Sequence, residues 1–472
     1  MHYYNRIVFL LITVILSFQS QAQDNEPSPW SRFGLGLNTP VYSSLQSMMG
    51  GVSSPLINSG VINPDQPASA AGATTTLFQT SVNSSSNNMT DGDSTATITS
   101  GAIGAMGLVI KKPGGKTALM MGMTPNTAKG YNITRTFENE TLGEIAERYT
   151  GYGGTARSYL GMARAFHRKT WLDASSSDSV YVTRNSLYLG AQLNYLFGEV
   201  IQTSRLDIQD ITFLDNRTST IMRHRSLAGL FGVQATQLLY AKYDGEKNFQ
   251  GAMTLALGGT YSTEAHLYTD YVRIVETVQL LSNVETPVDT TYFADITDSP
   301  SRLPSKWTAG GALTIDMKGG MKLVLAADLM REDWTSVADD FSVDILGSES
   351  ASWAAASRTS FGLSLKPKNG GSSAGALTRS TYSAGFEINE YPIAYDGNQL
   401  AGWRAAAGVS IPLEGSRSKS SLHLGIDYGK RGLVDNGTIL ENSLNENIFN
   451  VQVGFSLSPF FKNLWLTPRL YD

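Results

Sequence analysis

Cysteine is absent from this 472-residue chain, and charged residues make up only 16% of it. Without Cys there is no thiolate metal site, no iron–sulfur cluster, no thiol enzyme and no disulfide-stapled domain. An average soluble chain carries roughly 25% charged residues. The net charge of −5 also opposes a general nucleic-acid binder, which carries a basic surplus. Beyond the first 22 residues no apolar run reaches the roughly 18 residues that a membrane-spanning helix needs.

The first 22 residues have the pattern of a secretory signal peptide. Arg6 supplies a positive start, residues 7–18 are apolar, and Ser20-Gln21-Ala22 places small residues at the −3 and −1 positions. This pattern predicts cleavage before Gln23 and export from the cytoplasm. An uncleaved N-terminal anchor is the alternative, although the apolar run is shorter than the roughly 20 residues of a spanning helix.

Large apolar residues alternate with small or polar residues through most of the remaining chain. Residues 252–261 place Met253, Leu255, Leu257 and Tyr261 on one face, against Ala, Thr and Gly on the other. Residues 421–428 and 450–457 repeat this period of two. Such alternation is typical of a transmembrane β-strand, but a half-buried soluble sheet shows it as well.

The lengths of the connections favour a membrane barrel over a soluble sheet. Short turns with charged and turn-forming residues alternate with long polar stretches such as 127–154, 200–221, 265–304 and 332–355, as in outer-membrane barrels. Only residues 169–184 interrupt this alternation. The predicted fold is all-β, a transmembrane antiparallel β-barrel of about 14 strands. The predicted strands are 73–83, 98–111, 116–126, 155–168, 185–199, 222–241, 249–264, 305–317, 320–334, 354–367, 378–390, 401–413, 419–430 and 446–458.

Tryptophans fall near the ends of these predicted strands. Amphipathic rings favour the membrane–water interface, so their positions agree with a barrel, although ordinary aromatic packing explains any single one. The residues concerned are Trp171, Trp307, Trp334, Trp353, Trp403 and Trp465.

Residues 23–72 differ from the strands and predict an inward-folded hatch. A barrel of about 14 strands has a lumen that its own side chains cannot fill, and this Gly-, Ser- and Pro-rich segment has few charges. A flexible or partner-binding tail is the alternative. The predicted barrel is then residues 73–458, followed by a periplasmic tail, 459–472. Apolar hatch residues are candidates for a ligand pocket: Phe33, Leu35, Met48, Met49, Leu56 and Ile57.

Two further groups are candidates for functional positions in the barrel wall. Glycines inside strands mark bulges or close approaches, so Gly101, Gly104 and Gly107 predict a strand kink, with core packing or barrel curvature as the alternative. Polar residues predicted on the lumen side either line a pathway or pair to fix the hatch. They are Arg164, Asp328, Arg404, His423 and Asp427.

No residue pattern predicts an enzyme, a resident metal or a cofactor. The five His residues are scattered, and none forms the His pair at i, i+4 that a metal site on a helix needs. Acidic residues in long loops, at Asp339, Asp340 and Asp344 and in residues 289–298, fit either calcium ligands or ordinary solvated loops.

Several short phrases resemble the FadL-like outer-membrane family. Asn63-Pro64-Asp65-Gln66-Pro67-Ala68-Ser69 is similar to the Asn-Pro-Ala stretch that leads into the family's first strand, here with an insertion between Asn63-Pro64 and Pro67-Ala68. Residues 28–36 and 427–432, with Phe461-Lys462 and Tyr471-Asp472, resemble a Bacteroidetes-type branch. The resemblance implies a hatch followed by a 14-stranded barrel.

The resemblance also implies two possible functions. Members of the broad family move hydrophobic small molecules across the outer membrane, and related barrels serve as non-transporting subunits of protein-export machinery. The expected location is the outer membrane of a Gram-negative bacterium, with both termini periplasmic. The expected partners are outer-membrane lipid, a hydrophobic or lipid-like ligand and other outer-membrane proteins in a complex, but no nucleic acid.

Overall fold

The computed structural model describes residues 28–458 with short exceptions. The exceptions are residues 40–42, 58–59, 93, 113, 141–142, 175–177, 209–212, 245–247, 282–283, 342, 369–374, 414–419 and 441. The predicted signal peptide, Gln23, Trp465 and the C-terminal phrases within 459–472 lie outside the described residues.

Strands dominate the described chain, and the helices are short. The strands are β1 (Leu37–Asn38), β2 (Leu77–Asp91), β3 (Ser94–Ile103), β4 (Met106–Ile110), β5 (Thr117–Asn139), β6 (Gly143–Ala174), β7 (Asp178–Ile208), β8 (Asp215–Tyr243), β9 (Phe249–Ser262), β10 (Ala265–Leu281), β11 (Val284–Leu303), β12 (Lys306–Met317), β13 (Lys322–Asp333), β14 (Ala351–Trp353), β15 (Ala355–Lys366), β16 (Thr381–Tyr395), β17 (Asn398–Pro412), β18 (Ser421–Asp435), β19 (Thr438–Ile439) and β20 (Asn445–Leu457). The α-helices are α1 (Ser44–Met48), α2 (Val343–Leu346) and α3 (Ala376–Arg379), and 3₁₀ turns span Pro29–Arg32, Pro67–Gly72 and Trp334–Asp340.

Fourteen wall strands form a closed antiparallel barrel. Closure comes from β2, which pairs with β20 from Phe78↔Leu457 to Thr90↔Asn445. The two-residue strands β1 and β19 are not wall strands, and each of the pairs β3/β4, β9/β10, β11/β12 and β14/β15 is one wall strand with an interruption. The predicted fold class and strand number are confirmed.

The two faces of the wall differ as the alternation predicts. Outward side chains such as Leu160, Met162, Leu193 and Leu257 are large, apolar and more than half exposed. Their neighbours on each strand point inward and are small or polar. No helix among the described residues is long and apolar enough to span a membrane.

The two ends of the barrel differ in their connections. Residues 111–116, 244–248 and 318–321 connect wall strands at one end, which we call the short-turn end. At the opposite end, the long-hairpin end, the β5–β6, β7–β8 and β10–β11 hairpins continue the sheet. There β8 pairs with β10 over 215–226, and β11 pairs along its length with β10.

This extension corrects the sequence-based boundaries. Residues 127–154, 200–221 and 265–304, predicted as long polar loops, are mostly strand. The prediction recognised strands by their apolar outward face. A strand that extends beyond the membrane needs no apolar face, because its backbone groups still pair with neighbouring strands. The interrupting segment 169–184 is likewise a continuation of the β6–β7 hairpin at the short-turn end.

Candidate functional site

The segment before β2 runs through the barrel lumen. Its first described residue, Ser28, lies at the long-hairpin end, where its backbone N–H donates to the carbonyl of Gly130 in β5 at 2.8 Å. Its last 3₁₀ turn lies near the short-turn end, where the Lys111 ammonium donates to the carbonyl of Ala71. We call residues 28–76 the hatch.

Asp328 holds the middle of the hatch. Its carboxylate accepts the backbone N–H groups of Ser53 at 2.7 Å and Ser54 at 3.0 Å. The side chain is buried in the lumen at 4% exposure. Hydrogen bonds to an ionised acceptor are stronger than neutral ones. Asp328 therefore fixes the hatch backbone directly.

Arg404 holds the hatch helix α1 through a second cluster. Its guanidinium contacts the Glu387 carboxylate at 2.6 Å and the Asp427 carboxylate at 3.4 Å, and it donates to the Ser47 hydroxyl of α1 at 3.2 Å. Asp427 also accepts from Asn450 at 2.7 Å. Removing one member of such a buried network leaves an uncompensated charge, so these side chains act together.

Glu446 anchors the beginning of the hatch. This buried carboxylate accepts from Ser28 Oγ at 2.6 Å, from Asn87 Nδ2 at 3.1 Å and from Arg431 Nε at 2.7 Å. Nothing in the sequence motifs indicated it. Its partners come from β2, β18 and the hatch, which are far apart along the chain.

The predicted hatch motif forms a compact turn against the wall. Asn63 Nδ2 donates to the Ser53 carbonyl at 2.9 Å, and the Pro64 carbonyl accepts from Gln192 of β7 at 3.2 Å. Pro67 opens the last 3₁₀ turn, where its missing N–H costs nothing. Ala68 is fully buried. The insertion relative to the family phrase supplies Asp65, which pairs with Arg157 of β6 at 2.8 Å.

Two wall glycines show how closely the hatch approaches. A Cβ added at Gly258 of β9 would overlap the Ser54 carbonyl, and one at Gly385 of β16 would overlap the backbone of Met49 and Gly50. Only glycine allows a backbone this close. The inward face of the wall is thus shaped around the hatch.

The candidate pocket residues are packed rather than open. Met48 and Met49 are 1% exposed and lie against the wall, and Phe33 is buried against Tyr395 with ring centroids 5.6 Å apart. Leu56 and Ile57 are half-buried. Of the six candidates, Leu35 lines the cavity described next.

The lumen cavity is small, and its lining mixes apolar and charged side chains. It measures about 200 Å³ and lies between the hatch and the wall. Charged side chains line much of it, among them Asp65, Arg157, Arg358 and Glu387. Ligand pockets are typically lined mostly by apolar and aromatic side chains. This cavity has such a lining at Leu196, Met330 and Trp353, but charged groups interrupt it.

An aromatic cluster packs against the hatch at the long-hairpin end. Trp30 and Phe33 of the hatch pack with Trp334, Phe341 and Trp353. The rings of Trp334 and Trp353 stack with their centroids 4.7 Å apart. Trp334 and Trp353 are therefore buried and not at the membrane interface, unlike Trp171, which is 64% exposed. Strand-end position alone did not distinguish the two environments.

The remaining candidates are placed as follows. A break between β3 and β4 lies at Gly104, whose N–H donates to the Ser81 carbonyl at 2.9 Å. Gly101 is within β3. A Cβ added at Gly107 would lie 3.3 Å from the side chain of the hatch residue Ile62. His423 lies in the lumen wall, between the Ser410 hydroxyl at 2.8 Å and the Ser456 hydroxyl at 2.9 Å.

The predicted lumen position of Arg164 is wrong. This residue lies on the outer face of β6, exposed like Leu160 and Met162, with its guanidinium 5.4 Å from the centre of the Phe166 ring. The parity of its strand places it there, because residues 161, 163 and 165 point inward and are buried. Among the described residues, no group of three or more His, Asp or Glu could hold a metal ion.

Comparison with known proteins assigns the family. A family model described as BamG matches residues 4–472. The chain belongs to the BamG family. None of the curated proteins compared with it matches.

Solved structures with a similar arrangement are FadL-type channels. The toluene transporter TodX of P. putida is 12% identical with a TM-score of 0.48, covering 89% of this chain and 99% of its own. The Ralstonia pickettii toluene transporter TbuX is 11% identical with a TM-score of 0.46, covering 88% and 98%. A Pseudomonas aeruginosa FadL homologue is 13% identical with a TM-score of 0.42, covering 90% and 98%. The Bacteroidetes-type branch stays a prediction.

Proposed function

We propose that this BamG-family barrel is a non-transporting structural subunit of a larger outer-membrane protein complex. The observation that supports it best is the fixed hatch, which is held by charged wall residues along its length and leaves a cavity of only about 200 Å³. A hydrophobic solute gains free energy by leaving water for apolar surface, and in this small cavity charged side chains such as Asp65, Arg157 and Glu387 interrupt that surface.

The sheet extension supplies surface on which such a complex could be built. Strand β11 pairs with β10 on one edge, and no pairing of its other edge occurs among the described residues. Val288, Tyr292, Phe293 and Ile296 on this strand are each more than half exposed. Exposed apolar strand edges are sites for pairing with another chain.

We propose further that the short-turn end faces the periplasm and the long-hairpin end faces outward. Outer-membrane barrels have short periplasmic turns and longer outer connections. In this orientation β11, the aromatic cluster and Ser28, the first described residue, lie on the outer side of the membrane. The end of β20 at Leu457 lies on the periplasmic side, so the proposal keeps the expected periplasmic position for the C-terminal end of the barrel and not for the start of the hatch. The predicted domain limits, with a hatch before a barrel beginning at residue 73, belong to the same proposal.

Passage of hydrophobic small molecules is the second candidate function. The break between β3 and β4 at Gly104 favours it, because an interrupted wall strand is a place where a side exit could open. It also requires that the hatch move, since Met48 and Met49 now fill the space beside the wall.

An engineered disulfide bond between the hatch and the wall distinguishes the structural role from transport. Asn38 of β1 and Thr127 of β5 are direct partners in an antiparallel pair, where Cα atoms lie about 4.5 to 5.5 Å apart, within disulfide reach. The chain has no other Cys. In vesicles, we expect no toluene or oleate uptake by the N38C/T127C variant, either reduced or oxidised. Uptake that appears on reduction and stops on oxidation would overturn the structural role in favour of transport.

A further inference from the structure

Two arginines project from the outer face of the wall beside a groove. Arg164 and Arg168 of β6 are exposed and flank Phe166 on the same outward face. We propose that this face binds one phospholipid, with its phosphate held by Arg164 and Arg168 and an acyl chain in the adjoining groove. This site lies outside the lumen and is independent of the hatch.

The strand register builds the site from two neighbouring rows. One row is polar and runs across three strands as Arg168, Asn185 and Gln237. The next row is apolar and runs across four strands. It consists of Phe166, Leu187, Ala235 and Leu257. A polar row that borders an apolar outward row marks the level where headgroups meet acyl chains.

The groove has the shape of a chain-binding site. Its volume is about 450 Å³, and residues of both rows line it on β6, β7, β8 and β9. Ala235 leaves the space in its row because its side chain is small, whereas the larger Leu187 and Leu257 lie on either side. Apolar surface in this position suits an acyl chain, because each of its CH₂ groups is more stable against apolar surface than in water.

The charge of the two arginines favours an anionic headgroup. No carboxylate among the described residues pairs with Arg164 or Arg168, and the guanidinium of Arg164 contacts the Phe166 ring. Arg164 is one row deeper than Phe166, and its guanidinium reaches back over that ring towards the polar row. Long cationic side chains extend in this way to the interface, and guanidinium groups bind phosphate oxygens in a bidentate manner.

Native mass spectrometry of the full chain released from detergent tests the site. The probe is dioleoylphosphatidylglycerol, and the readout is the fraction of barrels that retain one lipid. We expect the R164Q/R168Q variant to retain it at least ~10-fold less, because the charge-assisted hydrogen bonds to the phosphate are lost. A235W should also lose the lipid, since it fills the groove while both arginines remain.

The matched control is R135Q. Arg135 lies in the same arginine–x–phenylalanine arrangement, 5.7 Å from the Phe137 ring, but in the outer part of β5, and its loss should leave retention unchanged. Heat-modifiable migration on gels confirms that each variant is folded. Dioleoylglycerol, which lacks the phosphate, should not be retained, and inorganic phosphate should not displace the lipid. Equal retention by R164Q/R168Q, equal retention of dioleoylglycerol, or displacement by free phosphate would overturn the proposal.

Discussion

Gly258 and Gly259 are adjacent in β9 but face opposite sides of the wall. An added Cβ at Gly258 would overlap the hatch backbone, whereas one at Gly259 would lie 3.5 Å from the Thr308 carbonyl, an ordinary contact. The pair therefore separates the effect of hatch contact from the general effect of replacing a strand glycine.

We predict that Gly258→Val destabilises the folded barrel by about 1 to 3 kcal/mol, the usual cost of overpacking. Gly259→Val should change stability by no more than about 0.5 kcal/mol, as at most surface positions. Thermal unfolding in detergent, followed by heat-modifiable gel migration, measures both. Similar behaviour of the two variants would contradict close packing of the hatch on the wall.

A second residue-scale prediction concerns Asp328. Asp328→Asn removes the charge that accepts the Ser53 and Ser54 N–H groups, so we expect a loss of about 1 to 3 kcal/mol and faster proteolysis within the hatch. Asp316→Asn, on the neighbouring strand β12 near the short turns, is the control and should leave the hatch protected. An unchanged cleavage rate in Asp328→Asn would show that this anchor is dispensable.

Individual residues also show which site positions could be predicted from the sequence and which could not. Asp328 and Arg404 were identifiable because a charge in an alternating strand stands out on the side of the small residues. Arg164 was misplaced because its charge was taken as a sign of the lumen side, although it shares its parity with the apolar residues Leu160 and Met162. Glu446 was missed because its role depends on two distant partners. Ser28 lies far from it in the sequence, and Arg431 lies in another strand.

The β10–β11 hairpin is the element that the proposed complex depends on. We predict that replacing residues 271–296 by a short Gly-Ser turn leaves a folded, heat-modifiable barrel, because β9 and β12 complete the wall without it. The same change should remove stable protein partners from the barrel purified from native membranes. Retention of those partners at full stoichiometry would exclude β11 as the docking strand.

At the element scale, the alternation predicted the wall well and its extensions poorly. Period two with an apolar face exists only where strands meet lipid, so residues 249–264 and 305–317 were predicted as strands. Residues 265–304 have no such face, and their strand structure depends on the partner β8. The hatch was predicted from composition, but its path was not, because it depends on contacts with strands that come later in the chain.

The whole molecule is a closed 14-stranded barrel with its lumen occupied by its own N-terminal segment. Charged wall residues hold that segment at the beginning, the middle and the end, and the aromatic cluster packs on it at the long-hairpin end. An internal segment held in this way fits the proposed role of a rigid support, which leaves the lipid-facing wall and the outer sheet as its free surfaces. The proposed structural role follows from this division.

The most direct measurement of this account is a cryo-electron microscopy structure of the barrel purified from its native membrane in mild detergent. We predict a hatch seated as described, with Ser53 and Ser54 on Asp328, and at least one protein partner present at full occupancy. A lone barrel with a linear apolar ligand against residues 30–57 would contradict the structural role and support transport.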